Sequence, residues 1–197
     1  MTSLIDRVKN ILTNPKAEWE VINNEPATLK GLLTSYVIPL SLLSAIATFL
    51  KFFVFSPLFG IAYALAYTAF AILVTIIVFV IAAYVIDALA SNFKSEKDIN
   101  KSAQLVAYSG TAGYVAGILS FIPVLGGLLS LAGAVYSIYL FYLGVGPLKK
   151  TPDDQKVVYI VVYVLVSWVI YMVLFSVVAG VLFSSLVTGA AAASVLG

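Results

Sequence analysis

The sequence predicts an all-α membrane protein, a polytopic helical bundle of five transmembrane helices preceded by short amphipathic cytoplasmic helices. Three observations lead there. The chain of 197 residues is 62% hydrophobic and only 10% charged, against about 25% charged in a typical soluble domain. Its apolar residues gather in four charge-free runs, 31–50, 52–86, 102–148 and 157–197, and each is long enough for the roughly 20 helical residues that cross about 30 Å of hydrocarbon. The cations, finally, are unevenly divided among the segments between those runs.

Residues 1–30 are expected to form a cytoplasmic amphipathic segment, and 31–197 the membrane domain. Leu4, Ile5, Val8, Ile11 and Leu12 recur at helical spacing, with Asp6, Arg7, Lys9 and Asn10 between them, which predicts an amphipathic helix. Asn14 followed by Pro15 suits the N-cap and first residue of a second short helix carrying Trp19, Val21 and Ile22. Two placements are open. The helices lie flat on the cytoplasmic leaflet with Arg7, Lys9 and Lys16 near anionic headgroups, or they cap the cytoplasmic ends of the spans. Acidic and basic residues from Asp6 to Glu25 precede the first apolar run, unlike a cleaved signal, so the first span is expected to persist in the mature protein.

Proline and glycine divide the longer runs. Pro57 and Gly60 interrupt the chain after Lys51, giving spans over about 31–55 and 61–90. Pro123, Val124, Leu125, Gly126 and Gly127 predict a tight hairpin between spans over 102–122 and 124–146. The fifth span covers 157–186, and 187–197 continues it as a helix extension or a frayed end. Orientation follows from the cations, because cytoplasmic loops carry the excess of lysine and arginine. Arg7, Lys9, Lys16 and Lys30 precede the first span, Lys94, Lys97 and Lys101 lie between the second and third, and Lys149, Lys150 and Lys156 lie between the fourth and fifth. Only Lys51 falls on the other side. The amino terminus is therefore expected in the cytoplasm and the carboxyl terminus opposite.

Most chemistry is excluded by what is missing. With neither cysteine nor histidine, the chain lacks thiolate nucleophiles, imidazole bases and the commonest transition-metal ligands. Ser109 has no histidine to activate it. Only Asp87 lies within or at the edge of a span, so two carboxylates sharing a proton are not available there. The stretch 144–151 misses the phosphate-loop spacing. No catalytic residue, metal site, cofactor or nucleic-acid partner is expected. Asp87 is the one ionisable candidate, either interfacial near Ser91, Asn92 and Lys94 or a buried proton or ion site. Tyr108 and the series Tyr159, Tyr163, Ser167, Tyr171, spaced every four residues, are further intramembrane polar candidates, facing other helices or lining a narrow cavity. Small residues at Ala103, Ala107, Gly110, Gly113 and Gly117 match a second stripe at Gly126, Ser130, Gly133 and Ser137. The two stripes are expected to pack within one molecule, with a homodimer seam as the alternative.

Three stretches resemble the Yip family, five-span membrane proteins named for interaction with Ypt/Rab GTPases, and in particular its shorter prokaryotic members. They are NPKAEWE at 14–20, QLVAYSGTAGYVAGILSFIP at 104–123, and YLGVGPLKKTPDDQKVVY at 142–159. Asn14, Pro15, Trp19, Lys150, Thr151 and Pro152 carry the motifs. The resemblance implies five helices, a cytoplasmic amino terminus and, for a prokaryotic member, the cytoplasmic membrane. Eukaryotic relatives use a longer amino-terminal region with an Asp-Leu-Tyr-Gly-Pro motif; here Glu25-Pro26-Ala27-Thr28 stands roughly in its place. The expected role is non-enzymatic organisation of membrane lipids or partner proteins through the amino-terminal helices and the loops 94–101 and 149–156. The alternative is a small-solute, ion or proton-coupled transporter or channel using Asp87 and the tyrosines.

Overall fold

The computed structural model describes residues 3–55, 60–122 and 125–196. Every regular element among them is helical: α1 (Leu4–Thr13), α2 (Pro15–Asn24), α3 (Leu29–Phe55), α4 (Gly60–Leu89), α5 (Ile99–Ser109), α6 (Thr111–Leu119), α7 (Leu125–Lys149) and α8 (Asp153–Leu196). Four helices are long and apolar enough to cross a membrane: Leu29–Phe55, Ile61–Phe93, Leu125–Lys149 and Asp153–Leu174. The chain divides into two compact units at the Tyr163/Val164 junction. In the first, α3 packs on α4 and α6, α5 on α4 and α7, α6 on α7, and α2 on α7. Its core includes Val37, Leu40, Ile86, Leu105, Leu140 and Val145. The second unit, from Val164 onward, is helical.

Apolar side chains also cover the outside. Leu65, Leu73, Leu128, Leu131 and Val135 are each more than half exposed. Such a density of outward leucine and valine would be costly in water, about 25 cal/mol per Å2 of apolar surface, and costs nothing against lipid tails.

Local chemistry sets the helix boundaries. Ser3 caps α1, its Oγ accepting from the Asp6 N–H at 3.1 Å. Pro15 opens α2 as its first residue, but the expected N-cap residue, Asn14, makes no capping bond with its side chain. In α3, residues Leu33–Val37 form a π-helical turn. Pro39 accounts for it: proline donates no N–H, and its ring crowds the carbonyl of the residue four positions earlier, so the preceding turn widens. After Leu89, α4 tightens into a 3-10 turn over Ala90–Phe93 that closes on Lys94 in the left-handed conformation, φ 53.

The structure corrects several expected boundaries. The third span, 102–122, is not one helix. The chain there forms α5 and α6, broken at Gly110, and the helical stretch begins earlier, at Ile99. The hydroxyls of Ser109 and Thr111 donate to the Leu105 and Tyr108 carbonyls, at 2.5 and 2.7 Å, and so compete for groups an uninterrupted helix would use. Gly126 and Gly127 are not in the hairpin turn but in the first turn of α7. Pro123, Val124 and Pro57 lie outside the described residues. The last helix begins at Asp153, earlier than 157, and continues to Leu196 as the expected helix extension.

Candidate functional site

The polar chemistry converges on α5. Asp98 caps this helix, its Oδ1 accepting from the N–H groups of Asn100 and Lys101 at 2.8 and 3.2 Å. Ser102, Gln104 and Tyr108 follow on buried positions, where polar atoms need partners. Gln104 Nε2 donates to the carbonyls of Ile22 and Glu25, both at 3.1 Å, at the end of α2. Lys101 Nζ donates to the Asn23 carbonyl at 2.5 Å, and the Leu29 N–H donates to Asn100 Oδ1 at 3.2 Å. The segment from α2 to α3 is thus stitched to α5 along its length. An open cleft of about 370 Å3 remains here, between Asn23, Glu25, Asp98 and Lys101.

Arg7 is the centre of the first cluster. Its guanidinium is buried and donates to Glu18 at 2.5 Å and to Glu25, while its Cζ lies 5.4 Å from the centre of the Tyr108 ring. Burial alone would pull the arginine pKa down; the hydrogen bond to Glu25 and the neighbouring Tyr108, Glu25 and Glu18 outweigh it and raise it above the ordinary value. Tyr108 also meets Tyr36 edge-on at 4.8 Å and Trp19 at 6.4 Å. Tyr36 Oη is 2.7 Å from Thr111 Oγ1. Trp19 is fully buried because Gly144 lets it in: a Cβ there would stand 2.6 Å from the indole ring. Its Nε1 has no hydrogen-bond partner among the described residues.

Lys149 forms the second cluster. Its side chain is 0% exposed, and its ammonium reaches three acceptors: Asp87 Oδ1 at 3.1 Å, the Asp98 carbonyl at 3.2 Å and Ser102 Oγ at 2.7 Å. Three acceptors match the three protons of an ammonium. Ser102 Oγ donates in turn to Asp87 at 3.2 Å. Beside it the two loops are clasped. The Glu96 N–H donates to the Lys149 carbonyl at 2.8 Å, Ser95 Oγ lies 2.8 Å from Thr151 Oγ1, and Lys150, in the left-handed conformation at φ 50, pairs with Glu96 at 2.7 Å. Tyr159 stacks on Phe93 at 4.6 Å and donates to the Ile86 carbonyl.

The structure therefore places the sequence candidates as follows. Asp87 is the counter-charge of Lys149, with 23% of its side chain exposed. Tyr108 and Tyr159 are buried among aromatic rings, and Tyr163 stacks on Phe141 at 4.5 Å. Ser167 Oγ is buried with no partner among the described residues, whereas Tyr171 is half exposed, so the four-residue series does not share one environment. A Cβ at Gly133 would meet Ala116 at 2.5 Å and one at Gly113 would meet Ser137 at 3.7 Å, so those positions of the two stripes face each other. Gly117 faces Ser44 of α3, Gly126 faces Ser120, Gly110 faces its own chain, and Ser130 donates to the Gly126 carbonyl. Ala103 and Ala107 are fully buried. Asn14 and Pro15 join α1 to α2, and Pro152 precedes α8.

Arg7 and Lys149 are the corrections. Neither is available to a lipid headgroup or a docking partner, because each is buried against carboxylates. Glu18 and Glu25 were not singled out in the sequence; for Glu18 the signal was the one-turn spacing that sets it on the same buried side of α2 as Ile22. Among the described residues, no group of carboxylates is placed to hold a metal ion.

The family model described as Yip1 domain matches residues 9–176 of the chain. No curated protein and no solved structure matches it.

Proposed function

Because the chain belongs to the Yip1 domain family, we propose that this multi-pass membrane protein crosses the bilayer five times and gathers lipids or partner proteins at its cytoplasmic face without catalysing a reaction. The third crossing is α5 and α6 in tandem, about 30 Å of helix at ~1.5 Å per residue. Ten of the 11 cations lie on one side of this arrangement, which favours a cytoplasmic amino terminus and a carboxyl terminus opposite.

One observation carries the functional reading: the buried charges neutralise one another. Lys149 takes up Asp87, and Arg7 takes up Glu18 and Glu25. A coupling carboxylate must load and unload, and here the candidate is held in an ion pair by a fully enclosed ammonium. What remains outward, Lys9, Lys16, Glu20, Lys97 and Asp153, is exposed and suited to headgroups or a protein surface.

The test is purification of the full chain in mild detergent with identification of the lipids and proteins that accompany it, repeated with Lys9→Glu and Lys16→Glu together. Loss of anionic lipid or of a specific protein in the variant is the expected result. An unchanged profile, together with ion flux in liposomes that Asp87→Asn abolishes, would favour the transporter instead.

A further inference from the structure

We propose that the α1–α2 hairpin is a wedge set into one leaflet of the membrane, with its tip at Thr13 to Lys16 reaching the depth of the upper acyl chains. This rests on the reading that these helices face lipid, and adds how deep they go.

The contacts of the hairpin descend the bundle in order. The end of α2 is held at the start of α5, where Gln104 donates to Ile22 and Glu25. One turn further along α5, Tyr108 meets Trp19 and Arg7, and Trp19 rests on Gly144 of α7. Lowest of all, Tyr136 Oη donates to the Leu12 carbonyl at 2.8 Å, and α1 packs on α6. At ~1.5 Å per residue, Tyr136 lies about 12 Å beyond Gly144 and about 20 Å beyond Lys149 along α7. One leaflet of hydrocarbon is about 15 Å thick. The tip therefore stands beside the middle of a helix that crosses the membrane, not beside its charged end.

The chemistry of the hairpin suits that depth. At the tip the Asn14 N–H donates to the Asn10 carbonyl at 2.8 Å, the Glu18 N–H donates to the Asn14 carbonyl at 3.1 Å, and Pro15 has no N–H to satisfy. Thr13 Oγ1 donates to the Lys9 carbonyl at 2.8 Å. Arg7 and Glu18 face inward and pair, while Asp6, Lys9, Lys16 and Glu20 stay outside. The cations left outside near the tip, Lys9 and Lys16, have stems long enough to carry their ammonium groups back to phosphates.

The chain has no cysteine, so single labels are unambiguous. Asn14→Cys, and Ala17→Cys in case the first perturbs the turn, are labelled with a polarity-sensitive fluorophore in vesicles of phosphatidylcholine and phosphatidylglycerol brominated on the upper acyl chain. Leu131→Cys on the outer face of α7 and Lys97→Cys in a loop serve as deep and shallow references. The expected result is quenching at Asn14 and Ala17 within about twofold of Leu131 and several-fold above Lys97. Labels at both positions quenched no more than at Lys97, and reached by aqueous iodide, would overturn the wedge. A shallow tip combined with lipid loss on Lys9→Glu and Lys16→Glu would overturn the wedge alone; a deep tip with no lipid or partner loss would sustain it and count against the gathering role.

Discussion

The Lys149 ammonium lies 3.1 Å from the Asp87 carboxylate across 62 positions of sequence, and the two are unequally buried, 0% exposed against 23%. The inequality decides which partner is harder to lose. Asp87→Asn leaves a charged ammonium fully enclosed among neutral acceptors, and is expected to cost about 3 to 5 kcal/mol, the range for an orphaned buried charge. Lys149→Met leaves a carboxylate that still touches solvent and is expected to cost less. The double variant should recover part of the loss. Thermal unfolding in detergent measures all three, and strictly additive losses would show that the residues do not act as a pair.

The same reasoning orders the Arg7 cluster. Glu18 is 8% exposed and Glu25 35%, so Arg7→Met strands at least one enclosed carboxylate and is expected to release α1 from the bundle. Glu25→Gln should cost only about 1 kcal/mol, in keeping with a half-solvated pair. Proteolysis of the 24–28 linker, read as a cleavage rate, reports release; equal rates for both variants would contradict the ordering.

Two glycines of α7 should respond oppositely to alanine. At Gly133 a Cβ meets Ala116 at 2.5 Å and the Ala112 carbonyl at 2.8 Å, and at Gly127 it meets nothing within 4 Å. Gly133→Ala must push α6 from α7 and is expected to cost about 1 to 3 kcal/mol. Gly127→Ala should gain up to about 1 kcal/mol from helix propensity. Unfolding midpoints in one detergent give both signs.

Tyr36→Phe removes only the hydroxyl that lies 2.7 Å from Thr111 Oγ1 and should cost about 1 kcal/mol. Thr111 also donates to the Tyr108 carbonyl, so it keeps a partner. A loss above about 3 kcal/mol would mean that the aromatic contact with Tyr108 had moved as well.

Much of the helical layout was legible because apolar density is a property of composition. The expected 31–55 and 124–146 lie close to Leu29–Phe55 and Leu125–Lys149. The break at Gly110 was hidden because hydropathy does not record that Ser109 and Thr111 compete for helical carbonyls. Lys149 was misplaced because a lysine next to a span marks a loop by default, whereas its stem folds back into the bundle. Arg7 was misplaced for a related reason: it falls one turn before Ile11 on the buried side of α1, but the sequence does not say that carboxylates from α2 and the following linker meet it there. Contacts between positions as distant as Asp87 and Lys149 leave no local periodicity to read.

The π-helical turn at Leu33–Val37 fixes a phase. A wider turn takes about one more residue to complete the same circuit, so the helix above and below it keeps a common face only while that residue is present. Shortening the turn by one would rewind the start of α3 by about 100° relative to the rest, carrying Leu29 away from Asn100 and Leu32 out of the core while Leu40 stayed in place. Pro39 thus makes the length of this stretch, rather than the identity of its side chains, the property that substitution leaves intact and deletion destroys.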